Sequence, residues 1–163
     1  MDLRIIIILA GVFGLIYLFK ITNNFARIIT GLMVVAIAIS FVRVPEIAID
    51  GYYLFAITQL LIIIYAFSYE DFSTNKKITV ATIAFLGLAS IVLLLGAPEG
   101  IRAYGDFYLR LLEFSGLVAG VIIGLYIYVL IKDIKSYKEE IGFLTILSAD
   151  ALIRFALYIL ALM

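Results

Sequence analysis

The sequence predicts an all-α polytopic integral membrane protein, a helical bundle of about six transmembrane helices. Three observations predict it. Apolar residues make up 66% of the 163 positions and charged residues 15%, against about 45–50% and about 25% in ordinary soluble domains. The mean hydropathy is +1.22. The charges are also not scattered: they cut the chain into six apolar runs.

Each run is read as a span of roughly 20 residues, the length that crosses a hydrocarbon core. The first two, residues 5–20 and 27–43, rest on 15-residue charge-free stretches, Ile5–Phe19 and Ile28–Val42. Flanking Arg and Lys side chains extend such short stretches by snorkelling to the interface. The third span, 47–69, holds one early charge, Asp50. The fourth, 78–96, is clean and stops at Ala97-Pro98. The fifth, 107–131, carries Arg110 and Glu113 near its start, and the sixth, 141–163, carries Asp150 and Arg154 near its middle. Residues 1–163 then form one transmembrane domain. Met1-Asp2-Leu3-Arg4 is a weak signal-peptide start and no A-x-A-like site follows, so the first span is read as retained.

The Lys/Arg bias sets an expected orientation. Seven cations (Lys20, Arg27, Lys76, Lys77, Lys132, Lys135, Lys138) fall in the loops of one side and three (Arg4, Arg43, Arg102) on the other. The positive-inside rule then places both termini outside the cytoplasm of a cell-membrane protein. Tyr replaces the missing Trp as the interfacial aromatic near span ends. The stretches Ser73–Lys77 and Lys132–Glu140 read as ordinary solvated loops, and Glu70, Asp71, Lys76 and Lys77 are assigned no role. Gly96–Asp106 reads as a turn-rich outer loop.

Composition excludes whole classes of function. Twelve Lys and Arg balance twelve Asp and Glu, leaving no basic field for nucleic acid. The chain has no His and no Cys, so imidazole and thiolate metal, haem and iron–sulfur sites are excluded. No cofactor, metal or catalytic residue is expected.

The informative residues are the ionisable groups inside the spans, each costing about 2.5–3.5 kcal/mol at mid-bilayer on insertion scales. Arg110 and Glu113 are three apart and Asp150 and Arg154 four apart, so each pair shares a helix face. At about 1.5 Å rise per residue, Glu113 lies about 10 Å and Arg154 about 13 Å below the outer surface. A Glu113–Arg154 contact between spans five and six is therefore expected, with Asp150 deeper. Gly116, Gly120 and Gly124 continue the Glu113 face as a G-x-x-x-G stripe that admits a close neighbour, either span six or a second subunit. Glu46, Asp50, Glu99 and Asp106 would form an outer acidic mouth above this network. Gln59, at mid-span three, is expected to hydrogen-bond a neighbouring helix.

Tyr104-Gly105-Asp106-Phe107 resembles the G-x-G-D-F motif of intramembrane aspartyl proteases over four residues. Ala103 stands where that pattern has its first Gly, the partner Tyr-Asp is absent because Asp50 follows Ile49, and the Pro-Ala-Leu motif is missing. An enzyme is not expected. The function expected is a transporter or channel for protons or cations built around the intramembrane charges, Asp150 being the deepest acid. The alternative is a non-catalytic accessory or assembly subunit, or a sensor module, of a larger membrane complex. Its partners would be the lipid bilayer and either further copies or other membrane subunits.

Overall fold

A computed structural model describes residues 2–42 and 44–163, without the side chains of residues 45–48. Arg43, counted in the orientation, and the Glu46 side chain, assigned to the acidic mouth, lie outside the described residues. Among those described, the chain is all-helical. It runs α1 (Arg4–Tyr17), α2 (Asn24–Ser40), α3 (Pro45–Ser68), α4 (Thr74–Leu95), α5 (Ala97–Tyr104), α6 (Asp106–Lys132), a 3-10 turn (Ile134–Tyr137) and α7 (Ile141–Leu162).

Four helices are long and apolar enough to cross a membrane: Ile49–Ser68 within α3, α4, α6 and α7. The first two expected spans are shorter. α1 has 14 residues and α2 has 17, about 21 and 26 Å against a core about 30 Å thick. Their ends are local. Asn23 Oδ1 accepts from the Phe25 and Ala26 amides and starts α2, as Ser73 Oγ accepts from the Lys76 amide and starts α4.

The outer loop expected at 97–104 is instead a helix, α5. Pro98 falls in its first turn, where a missing N–H costs nothing, and Glu99 and Arg102 sit at the ends their charges favour. The chain reverses into α6 at Gly105, whose φ of +55° suits glycine. Gly100 faces the Tyr108 ring so closely that a Cβ there would lie 2.4 Å from ring carbon.

The six longer helices close into a ring in which α1 packs on α2, α2 on α3, α3 on α4, α4 on α6, α6 on α7 and α7 back on α1. α7 also touches α2 and α4, which makes it the central element. Its first half is buried on every face: Phe143, Leu144, Ile146 and Leu147 are each at most 1% exposed. The spanning helices are for the most part buried to a similar extent. α6 departs from that, with 22% of its apolar window buried against 39% for the other three spanning helices.

The glycine stripe of α6 divides. A Cβ on Gly116 would meet Tyr158 of α7 at 2.5 Å and one on Gly120 would meet Phe155 at 3.1 Å, whereas Gly124 has open space. Gly116→Ala should therefore destabilise the bundle by about 1–3 kcal/mol through overpacking. Gly124→Ala should be neutral or slightly stabilising, since alanine is the better helix former. Thermal unfolding of the two variants in detergent tests the contrast, and equal effects would contradict this packing.

Candidate functional site

Polar groups gather at two ends of the bundle interior. At the end that carries the N-terminus, a cavity of about 760 Å³ opens between α1, α2, α3, α4 and α7. Its wall is mainly apolar, with Ile37, Phe41, Tyr52 and Phe55 among the lining residues. Asp2 and Arg4 border it, and Asp150 and Arg154 reach it from α7. Arg154 Nη2 donates to Asp150 Oδ2 one turn back on the same helix. Arg154 Nε and Nη1 are buried without a partner among the described residues.

This corrects the expected Glu113–Arg154 contact. The two ion pairs among the described residues are Asp150–Arg154 and Lys76–Glu140. Gly116 and Gly120 turn toward α7, which leaves Glu113 and Arg110 exposed at and beyond the outer edge of that seam. The i, i+4 acid is also the nearer partner for Arg154, needing no second helix. Of the expected acidic mouth, Asp50, Glu99 and Asp106 are exposed and do not line the cavity. The acid at its rim is Asp2.

At the opposite end lies a cluster that reading along the chain did not single out. Glu140, just before α7, is 0% exposed. Its Oε1 accepts from Lys76 Nζ and from the Tyr65 hydroxyl, each at 2.8 Å, and its Oε2 has no partner among the described residues. Lys76 Nζ also donates to the Ser136 carbonyl at 2.8 Å and sits 4.0 Å from the centroid of the Phe72 ring, a cation–π arrangement. Phe25, Tyr69, Phe72 and Phe143 pack around Tyr65 with ring centroids 5.2 to 5.8 Å from its own.

Glu139 does a different job. Its carboxylate accepts from Thr22 Oγ1 at 2.6 Å, from the Thr22 amide at 2.8 Å and from the Asn23 amide at 3.1 Å. Burial raises the pKa of this carboxyl, but the Thr22 and Asn23 hydrogen bonds, with Lys138 beside it, outweigh burial and hold it below the ordinary glutamate value.

Ser73–Lys77 and Lys132–Glu140, which read as solvated loops in the sequence, thus hold a buried ion pair. No local pattern joins Lys76 to Glu140. A usable signal was helix periodicity: Lys76 continues the Val80, Ile83, Gly87 stripe of α4, and Glu140 the Leu144, Leu147, Ala151 stripe of α7, all buried.

Between the two ends, the interior is packed and sparsely polar. Gln59 is 0% exposed, and neither of its amide atoms has a hydrogen-bond partner among the described residues. The hydrogen bond expected to a neighbouring helix is not made, because the side chain lies against Gly87, which offers no side-chain group; a Cβ there would be 2.9 Å from Gln59 Oε1. Ser148 Oγ is likewise buried and unpartnered. Among the described residues, no three acids converge as metal ligands would.

Fold and site together define a helical membrane protein with a charged cavity at one end and a buried ion pair at the other. Comparison with protein-family models, with curated proteins and with solved structures gives no match.

Glu140→Ala would leave the Lys76 ammonium buried without its carboxylate and should destabilise by about 3–5 kcal/mol. Asp150→Ala, beside a cavity, should cost less, and urea or SDS titration of the two variants checks the order. Because the Glu139 pKa is depressed on folding, its contribution is present above the unfolded value, about 4.3, and is lost as pH falls through the lower folded one. Glu139→Gln should lose about 1 kcal/mol at neutral pH and show a smaller fall in melting temperature between pH 5 and pH 3. Parallel acid profiles of wild type and variant would overturn that assignment.

Proposed function

We propose that the protein moves protons, or small cations, across the cell membrane, with all six longer helices embedded and both termini outside the cytoplasm. The observation that carries this reading is the cavity of about 760 Å³ that reaches the Asp150–Arg154 pair. A carboxylate inside a membrane is costly to keep and marks proton and ion pathways. Asp150 is reached from one side, and ten residues back along α7, about 15 Å, Glu140 stands near the other.

Polar groups occupy intermediate levels. Ser148 lies between the two acids on α7, and Gln59 lies on α3 between Phe55 at the cavity and Tyr65 at the Glu140 cluster. Their unpartnered atoms suit a proton relay through transient water. Below Asp150, α7 is packed on all faces, which suits a proton and a conformational carrier better than a hydrated ion and an open channel. Each acid stands beside a cation, Asp150 beside Arg154 and Glu140 beside Lys76, so a transported proton or cation would have to compete with that pairing.

Purified protein in liposomes under a potassium diffusion potential should acidify or alkalise the lumen, read by a trapped pH dye. Asp150→Asn should lower the rate on the order of tenfold or more, while Gly124→Ala leaves it unchanged. Flux no greater than that of empty liposomes, from protein with intact helical content, would end this reading.

A second reading, an accessory or assembly subunit or a sensor module of a larger complex, is favoured by one observation. Arg110 and Glu113 are exposed on a spanning helix, where another chain could cover them.

A further inference from the structure

The outward side of α6 is unlike the other exposed helix faces. On a wheel of about 100° per residue, Arg110, Glu113, Leu117, Val121, Gly124 and Tyr128 fall within an arc of about 80°. All six are exposed, Leu117 by 48% and Val121 by 52%. Two are opposite charges inside a spanning helix, Glu113 about 10 Å from its start. Neither belongs to an ion pair: those among the described residues are Lys76–Glu140 and Arg154–Asp150. Facing hydrocarbon, such a pair is costly.

We propose that this face is the contact between two copies of the chain. Copies inserted in the same sense hold equal residues at equal depth. A twofold axis along the membrane normal then brings Arg110 of each copy to Glu113 of the other. The offset between the two positions is about 4.5 Å along the helix, within reach of an arginine side chain. The contact is self-complementary and closed, as a twofold interface must be, and it makes both ion pairs at once. About three turns further in, Gly124 leaves open space on the same face, so nothing bulky blocks the contact there. The other flank of α6 is already used by α4 and α7, and it leaves this arc free. The dimer does not depend on proton transport: a dimer without flux, or flux from a monomer, would separate the two.

The chain has no cysteine, so a single introduced one reports alone. Leu117→Cys should form a disulfide-linked dimer on mild oxidation in vesicles, and Leu60→Cys, exposed on α3, should not. In dilute mild detergent the wild type should sediment as a dimer. Glu113→Arg should weaken self-association by about tenfold or more, since it leaves like charges facing. The swap Arg110→Glu with Glu113→Arg should restore it to within about threefold, and this also shows that the altered helix still folds. A monomeric wild type, a dimer indifferent to Glu113→Arg, a swap no better than the single change, or a Leu117→Cys link formed only to a different chain would each overturn the proposal.

Discussion

The bundle depends on one buried ion pair, Lys76 with Glu140. Through it and the Tyr65 hydroxyl, the starts of α4 and α7 and the end of α3 meet at a single carboxylate oxygen. The lysine also holds the Ser136 carbonyl of the 3-10 turn. The preceding residue, Glu139, takes the last amides of the α1–α2 connection, and the Tyr17 hydroxyl donates to the Lys138 carbonyl. Glu139, Glu140 and the Lys138 carbonyl together tie the end of α1 and the start of α2 to the end of α3 and the starts of α4 and α7. Taking either charge of the pair away leaves the other with neutral partners alone, Ser136 and Phe72 for Lys76 and Tyr65 for Glu140, which is why such a pair acts as a constraint on geometry more than as a gain in stability.

The other end is arranged in the opposite way. The start of α1, the end of α2 and the first half of α3 line a cavity there, beside Asp150 and Arg154. The protein is closed by charge at one side and open around charge at the other, with a closely packed stretch of α7 between them.

α6 shows how much of a site can be legible in a sequence and still be resolved differently. Arg110, Glu113 and the three glycines share one broad arc, and that arc does carry close helix contacts. Half of it, at Gly116 and Gly120, meets the α7 rings. The half holding Arg110, Glu113 and Gly124 turns outward. Periodicity places residues on a common face to within about a third of a turn, but the contact between two helices is decided over a narrower strip by the bulk of side chains such as Tyr158 and Phe155. Depth arithmetic brought Glu113 and Arg154 level without being able to say that Asp150, one turn away, would take the guanidinium first.

The membrane class, the helical content and the positions of the longer helices follow from the sequence alone, because hydropathy and charge spacing act over contiguous residues and a bilayer leaves the backbone few alternatives to helix. The pairing of Asp150 with Arg154 was open to inspection for the same reason, being an i, i+4 contact on one helix. Only the tertiary structure brought Lys76 to Glu140, made a helix of the Ala97–Tyr104 loop over Tyr108, and set α7 at the centre with α6 at the edge. Those outcomes rest on contacts between residues far apart in the chain, whose partners are chosen by packing volume and by the need to neutralise buried charge, and neither is written in any one segment.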